Sequence, residues 1–207
     1  MTAPERFDRA FADARTLHAF FTARMPRRGP LADPHGMDAG AALDRLLATL
    51  LGHADRLTRL LLTMVEDEEW RPANTLLHTL LEVVAATAWI QAELTADRSA
   101  SAALQPLLER AALTRGDTLP ALLAAVPRDR AVAILNGWIP GMAWQDRALA
   151  EAELWEEDLP AEQHIFHRHM GVSVLVHLLT ILPVLADDIG DRLPDGRGRR
   201  RDLSQTA

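Results

Sequence analysis

Apolar residues recur at helical spacing along most of the chain, and no stretch alternates apolar and polar as a strand does. Leu and Ala fill most of the apolar positions, and both favour helix. Phe7, Phe11, Ala14, Leu17 and Phe21 share one face of a first helix predicted over residues 4–24. Residues 26–40 hold three prolines and three glycines and read as a linker. A second helix is predicted over residues 38–65, where Leu46, Leu50, His53, Leu57, Leu60 and Met64 fall at alternating spacings of four and three. That rhythm makes a seam for packing against other helices. The acidic run Glu66-Asp67-Glu68-Glu69 ends it.

A third helix begins at Trp70-Arg71-Pro72, with Pro72 suited to a first helical turn. Its stripe is Leu77, Leu81, Val84 and Ala88. The middle of the chain is more broken. Helical pieces are predicted over residues 102–113 and, after a Thr118 cap, over 119–126. Another starts at Pro127, is interrupted at Asn136-Gly137 and Pro140-Gly141, and restarts from Met142 to about Glu157. Pro160 opens a last long helix that ends near Ile189-Gly190 and carries Pro183, where a kink is expected. The sum is an all-α chain: a four-helix bundle with an extra N-terminal helix and a broken middle crossing. The division this implies is an accessory helix over 1–25, a linker over 26–40 and a bundle over 41–192. A basic tail follows over 193–207, expected to be disordered because of its charge and glycines.

Composition narrows the chemistry. The 207 residues suit one domain with a real core. There is no Cys, no Tyr and no Lys, so all 22 basic residues are Arg. Disulfides, thiolate metal sites, a catalytic lysine and a phosphate-binding P-loop lysine are thereby excluded. The formal net charge of −7 gives an acidic surface that repels phosphate backbones, so nucleic acid is not the expected partner. The N-terminus lacks a basic segment followed by an apolar one. The most apolar run, residues 172–186, is shorter than the ~20 residues of a spanning helix. The expectation is a cytoplasmic protein without a membrane partner, serving a small molecule or another protein, with homodimerisation compatible.

The eight histidines are the main candidates for chemistry. His78 and Glu82 stand at i and i+4 on one helical face. His53 lies on the seam of the preceding helix, and His177 lies in the apolar stretch of the last one. Inward histidines from three helices are the usual makings of a divalent-metal site in a bundle. Helical rise places His53 level with about Ala86 in an antiparallel hairpin, roughly two turns deeper than His78. Glu82 is therefore the strongest partner of His78 and His53 the weakest, while the stagger of the last helix decides His177. The cluster His164, His167 and His169 reads as a polar helix start, and Asp187-Asp188 as solvated surface, since neighbours point to different faces. The five tryptophans read as packing anchors. No serine nucleophile elbow, P-loop or dinucleotide-binding glycine pattern is present.

With these pieces in order, residues 57–94 resemble the first half of a DinB-like protein. There, too, a helix ends in acidic residues, a Trp-Arg-Pro-like start leads into a second helix, and a His follows about two turns in. The matching residues here are Glu66 to Glu69, Trp70-Arg71-Pro72 and His78, then Trp89. Phe166-His167-Arg168-His169-Met170-Gly171-Val172 is similar to the family's approach to its last helix. The resemblance implies a four-helix bundle with a divalent metal (Zn, Ni or Fe) at one end, and thiol-dependent transferase or metal-dependent hydrolase chemistry. It implies a metal site holding one His from the second bundle helix, matched by His78, and a His-x-x-x-His pair from the last. The corresponding turns here read Leu182-Pro183-Val184-Leu185-Ala186-Asp187-Asp188, without that pair. Two function classes follow. One is a metal-dependent enzyme on a small molecule, with a metal-bound water or thiol as nucleophile. The other is a non-catalytic adaptor, chaperone or ligand-binding bundle with a degenerate metal site.

Overall fold

The computed structural model describes residues 3–25, 39–96, 104, 107, 119–138 and 161–190. They form α1 (Ala3–Arg24), α2 (Ala39–Glu66), α3 (Trp70–Ala96), the short α4 (Leu119–Leu123), α5 (Arg128–Trp138) and α6 (Ala161–Gly190). No strand occurs among the described residues. The expected linker falls outside them except for Ala39 and Gly40, which already belong to α2. The pieces predicted over 102–113 and 142–157 and the basic tail also lie outside them, apart from Leu104 and Leu107, both buried.

The four long helices close a ring of contacts. α1 packs on α2, α2 on α3, α3 on α6, and α6 back on α1, while α2 and α6 also touch across the middle. Side-chain contacts at the ends fix the directions. Phe7 meets Trp70 edge to face at 5.7 Å, joining the starts of α1 and α3. Arg24 pairs with Asp187 at 3.3 Å, joining the ends of α1 and α6. Gln91 donates to Asp188 at 3.3 Å, joining the ends of α3 and α6. So α1, α3 and α6 run parallel and α2 runs against them. Because α6 restarts at the end where α3 began, the intervening chain must travel back along the molecule. α4 and α5, which lie within that stretch, both pack on α3.

α3 is the central helix. Every residue from Val83 to Gln91 is buried, which needs neighbours on all sides. The predicted stripe Leu77, Leu81, Val84 and Ala88 is buried throughout. By length and composition α3 and α6 each contain a segment apolar enough to cross a membrane, and 67% and 56% of those segments are buried among the other helices.

Ala14 and Phe21 of α1 are fully buried within the same core as residues of α2, α3 and α6. Two sequence expectations are corrected. The buried face of α2 runs through Leu47, Leu50, Leu51, Ala54, Thr58, Leu61, Leu62 and Val65. Of the predicted seam, Leu46 and Leu50 are buried, His53, Leu57 and Met64 are half-buried, and Leu60 faces solvent. Leucine is so frequent in α2 that several stripes satisfy helical spacing, and the flanking helices choose among them. Lastly, α5 continues through Asn136-Gly137 to Trp138 without a break.

The turn between α2 and α3 has a defined cap. Glu69 N–H donates to Met64 O at 2.8 Å and Glu68 N–H to Val65 O at 3.3 Å. Glu68 stands at φ 59°, the left-handed conformation usually given to glycine at this position. These two bonds satisfy carbonyls that the helix end leaves open.

Candidate functional site

The side chains chosen from the sequence lie on α2, α3 and α6, with His78 and Glu82 one turn apart on α3. Leu61 and Val65 of α2 line one small cavity with Ala73 and Leu77 of α3, which sets the antiparallel register. Carried along the helices, that register puts His53 level with about Ala85, roughly 10 Å along the axis from His78. The ring Nδ1 of His53 lies 3.5 Å from the Arg56 guanidinium one turn away. Glu82 turns toward α5, where its Oε1 lies 3.7 Å from Nε of Arg128. His177 shares its helical face with exposed Thr180 and Val184, and its Nδ1–H donates to Ser173 O at 2.6 Å. The approach of Gly171 to Leu77 sets His177 at about the axial level of Glu82. Among the described residues no group of three or more His, Asp or Glu side chains is placed to hold a metal ion.

The face of α3 that carries Glu82 borders instead a cleft of about 460 Å³. Its floor is Leu81 and Ala85 of α3, and its other walls are Leu119, Leu123 and Ala124 with Ala131 and Val132 of α5. Glu82 and Arg128 are its charged lining, and Thr79 is a further polar neighbour, its hydroxyl donating to Thr75 O at 3.1 Å. The volume lies in the ~300–1,000 Å³ range of small-molecule sites, and the mix of apolar walls with a few polar groups is usual for them. The Glu82–Arg128 pair is largely solvent-exposed, so it contributes about 0–1 kcal/mol and rearranges readily. Either partner can turn to an opposite charge on a bound molecule.

A second polar cluster joins α1 to α2. Asp55 is 8% exposed, and its Oδ1 accepts from His18 Nε2 at 3.0 Å and from Thr22 Oγ1 at 2.8 Å. Its Oδ2 accepts from Arg59 at 2.6 Å. Helical spacing places His18 with Thr22, and Asp55 with Arg59, each pair on one face. His, Asp and a hydroxyl in contact suggest a nucleophile relay, but the geometry opposes it. Both Asp55 and Thr22, the latter at 3.4 Å, approach the same ring nitrogen of His18. A relay needs the carboxylate on one nitrogen and the hydroxyl on the other. The cluster is a polar clamp between helices. Sequence reasoning counted His18 among the histidines and passed over Asp55. The available signal was an acid on the leucine-rich side of α2, which must find partners if buried.

Comparison of the chain with protein-family models, with curated proteins and with solved structures gives no match.

Proposed function

We propose that the chain is a DinB-like four-helix bundle, formed by α1, α2, α3 and α6, that binds a small molecule without catalysing a metal-dependent reaction. The observation that carries this reading is the cleft of about 460 Å³ between α3 and the α4–α5 segment. The molecule that suits it has an apolar body, which displaces water from Leu81, Ala85, Leu119, Leu123 and Val132, and one ionised group. Burial of apolar area supplies the affinity at about 25 cal/mol per Å² before the costs of association. Arg128 or Glu82 receives the ionised group and orients it. The ring of contacts among the long helices supports the bundle architecture, and the axial separation of His53 from His78 and the turn of Glu82 toward Arg128 support a binding role over a metal-dependent one.

The test uses the naphthalene sulfonate dye ANS, an apolar fluorophore with one anionic group. The folded protein should bind it saturably with one site. Ala124→Trp, at an exposed position on the cleft wall, should abolish binding while leaving helical circular dichroism intact. Arg128→Glu should weaken it. Undiminished binding by a folded Ala124→Trp variant would remove the cleft as the site.

A further inference from the structure

A small cavity lies where the end of α2, the start of α3 and the first half of α6 meet. It has room for about 30 Å³ and is lined by Leu61, Val65, Leu77 and Val172 with Trp70, Asn74, Arg168 and Gly171 among its other walls. That is the volume of one water molecule or of a comparably small group. Two hydrogen-bond donors on its walls, Trp70 Nε1 and Arg168 Nε, are fully buried and have no acceptor among the described residues. Buried donors are almost always paired, so two of them on one cavity call for an acceptor inside it. The guanidinium of Arg168 lies over the Trp70 ring, 4.4 Å from its centre, which holds the two groups together.

Charge and donor inventory decide what the acceptor is. Arg168 forms no ion pair with any acid among the described residues. The acidic turn Glu66–Glu69 lies at this end but faces solvent, and Glu66 is engaged by Arg15. A water in the cavity would accept from both donors and donate to the Asn74 carbonyl oxygen, but it would leave the guanidinium charge of Arg168 without a counter-charge. An anion needs donors alone and finds three: Trp70 Nε1–H, Arg168 Nε–H and the Asn74 amide. We infer that this cavity is a binding site for one small monovalent anion, either a halide or the oxygen of a carboxylate.

Gly171 makes the inference testable without disturbing the fold. A Cβ built on it meets Leu77 Cδ2 at 3.6 Å, an ordinary contact, so Gly171→Ala narrows the cavity without a clash. Thermal unfolding is followed by circular dichroism in chloride, in formate, and in sulfate, which is too large for the space, at matched ionic strength. In wild type the Tm should rise with chloride or formate relative to sulfate. The rise should reach about 2–4 °C once the anion exceeds its Kd about fivefold. A larger effect of formate assigns the site to carboxylates, and a larger effect of chloride assigns it to halides. Trp70→Phe, which keeps the ring under Arg168 and removes the donor, and Arg168→Gln should each remove the anion dependence. Gly171→Ala should remove it while raising the Tm in sulfate, because alanine is the better helix former. Equal Tm in all three salts for wild type, or an anion effect that survives in Gly171→Ala, would overturn the site in favour of a water or an empty space.

Discussion

Replacing Asp55 by alanine tests whether α1 is held to the bundle by the polar clamp. The substitution takes the ionised acceptor from His18 and Thr22 on α1 and from Arg59 on its own helix. A hydrogen bond to a charged group is worth about 1.5–3 kcal/mol. The His18 and Thr22 bonds end on the same Oδ1, so their losses do not simply add. The His18 side chain is 14% exposed and recovers some hydration once freed. Arg59 is 64% exposed, and its i,i+4 pair contributes only about 0.3–0.5 kcal/mol. The expected loss is about 2–4 kcal/mol, or a Tm lower by about 4–16 °C for a chain of this size. Urea unfolding gives the free energy, and hydrogen exchange shows where it is lost, with amides of α1 opening first. Arg59→Ala is the internal control and should cost less than about 0.5 kcal/mol. A loss below about 0.5 kcal/mol for Asp55→Ala would refute the reasoning. So would a double-mutant cycle with His18→Ala in which the two effects add.

Phe21→Ala removes a fully buried ring of α1 and should cost about 3–5 kcal/mol in denaturant unfolding; a cost under about 1 kcal/mol would return α1 to the role of an accessory. Glu68→Gly relieves a left-handed backbone that costs an L-residue about 1–2 kcal/mol, against about 0.5–1 kcal/mol of glycine entropy. The variant should therefore be as stable as wild type or up to about 1.5 kcal/mol more so, and a clear destabilisation would contradict the cap. Elemental analysis after passage over a chelating resin should find no stoichiometric metal; metal retained by wild type and lost in His78→Ala would reinstate the metal-dependent enzyme.

What could be read from the sequence was whatever local spacing and punctuation determine. The start of α3 at Trp70-Arg71-Pro72 and its buried stripe from Leu77 to Ala88 follow from periodicity and helix-boundary chemistry. The orientation of α2 did not, because Leu46, Leu47, Leu50, Leu51, Leu57, Leu60, Leu61 and Leu62 surround most of its circumference. Only the positions of α1 and α3 decide that Leu61 is covered and Leu60 is not. The clamp was hidden for the same reason. His18 and Asp55 are 37 residues apart, and their meeting depends on how α1 docks. For His177 the stagger of α6 was open, and an apolar stretch alone does not set a face: His177 is half-buried, and Val184 on the same face is exposed.

The cleft has a different origin, and that origin bears on its use. Three of its lining positions are alanines: Ala85 on α3, Ala124 after α4 and Ala131 on α5. On the core side of α3, leucines from α2 and α6 fill the space between helices, as close packing requires. On the α5 side, the small side chains at these three positions leave a gap open to solvent between the floor at Leu81 and the walls at Leu119, Leu123 and Val132. Larger side chains at Ala124 or Ala131 would shut it and bury more apolar area, which packing alone would favour. An open apolar cleft is a cost to the free protein that a bound molecule removes. Ligand binding should therefore raise stability in proportion to the area it covers, and filling the cleft by Ala124→Trp should stabilise the free protein while removing its response to ligand. An Ala124→Trp variant that is folded, no more stable than wild type and still stabilised by ANS would show that the alanines are incidental to the site.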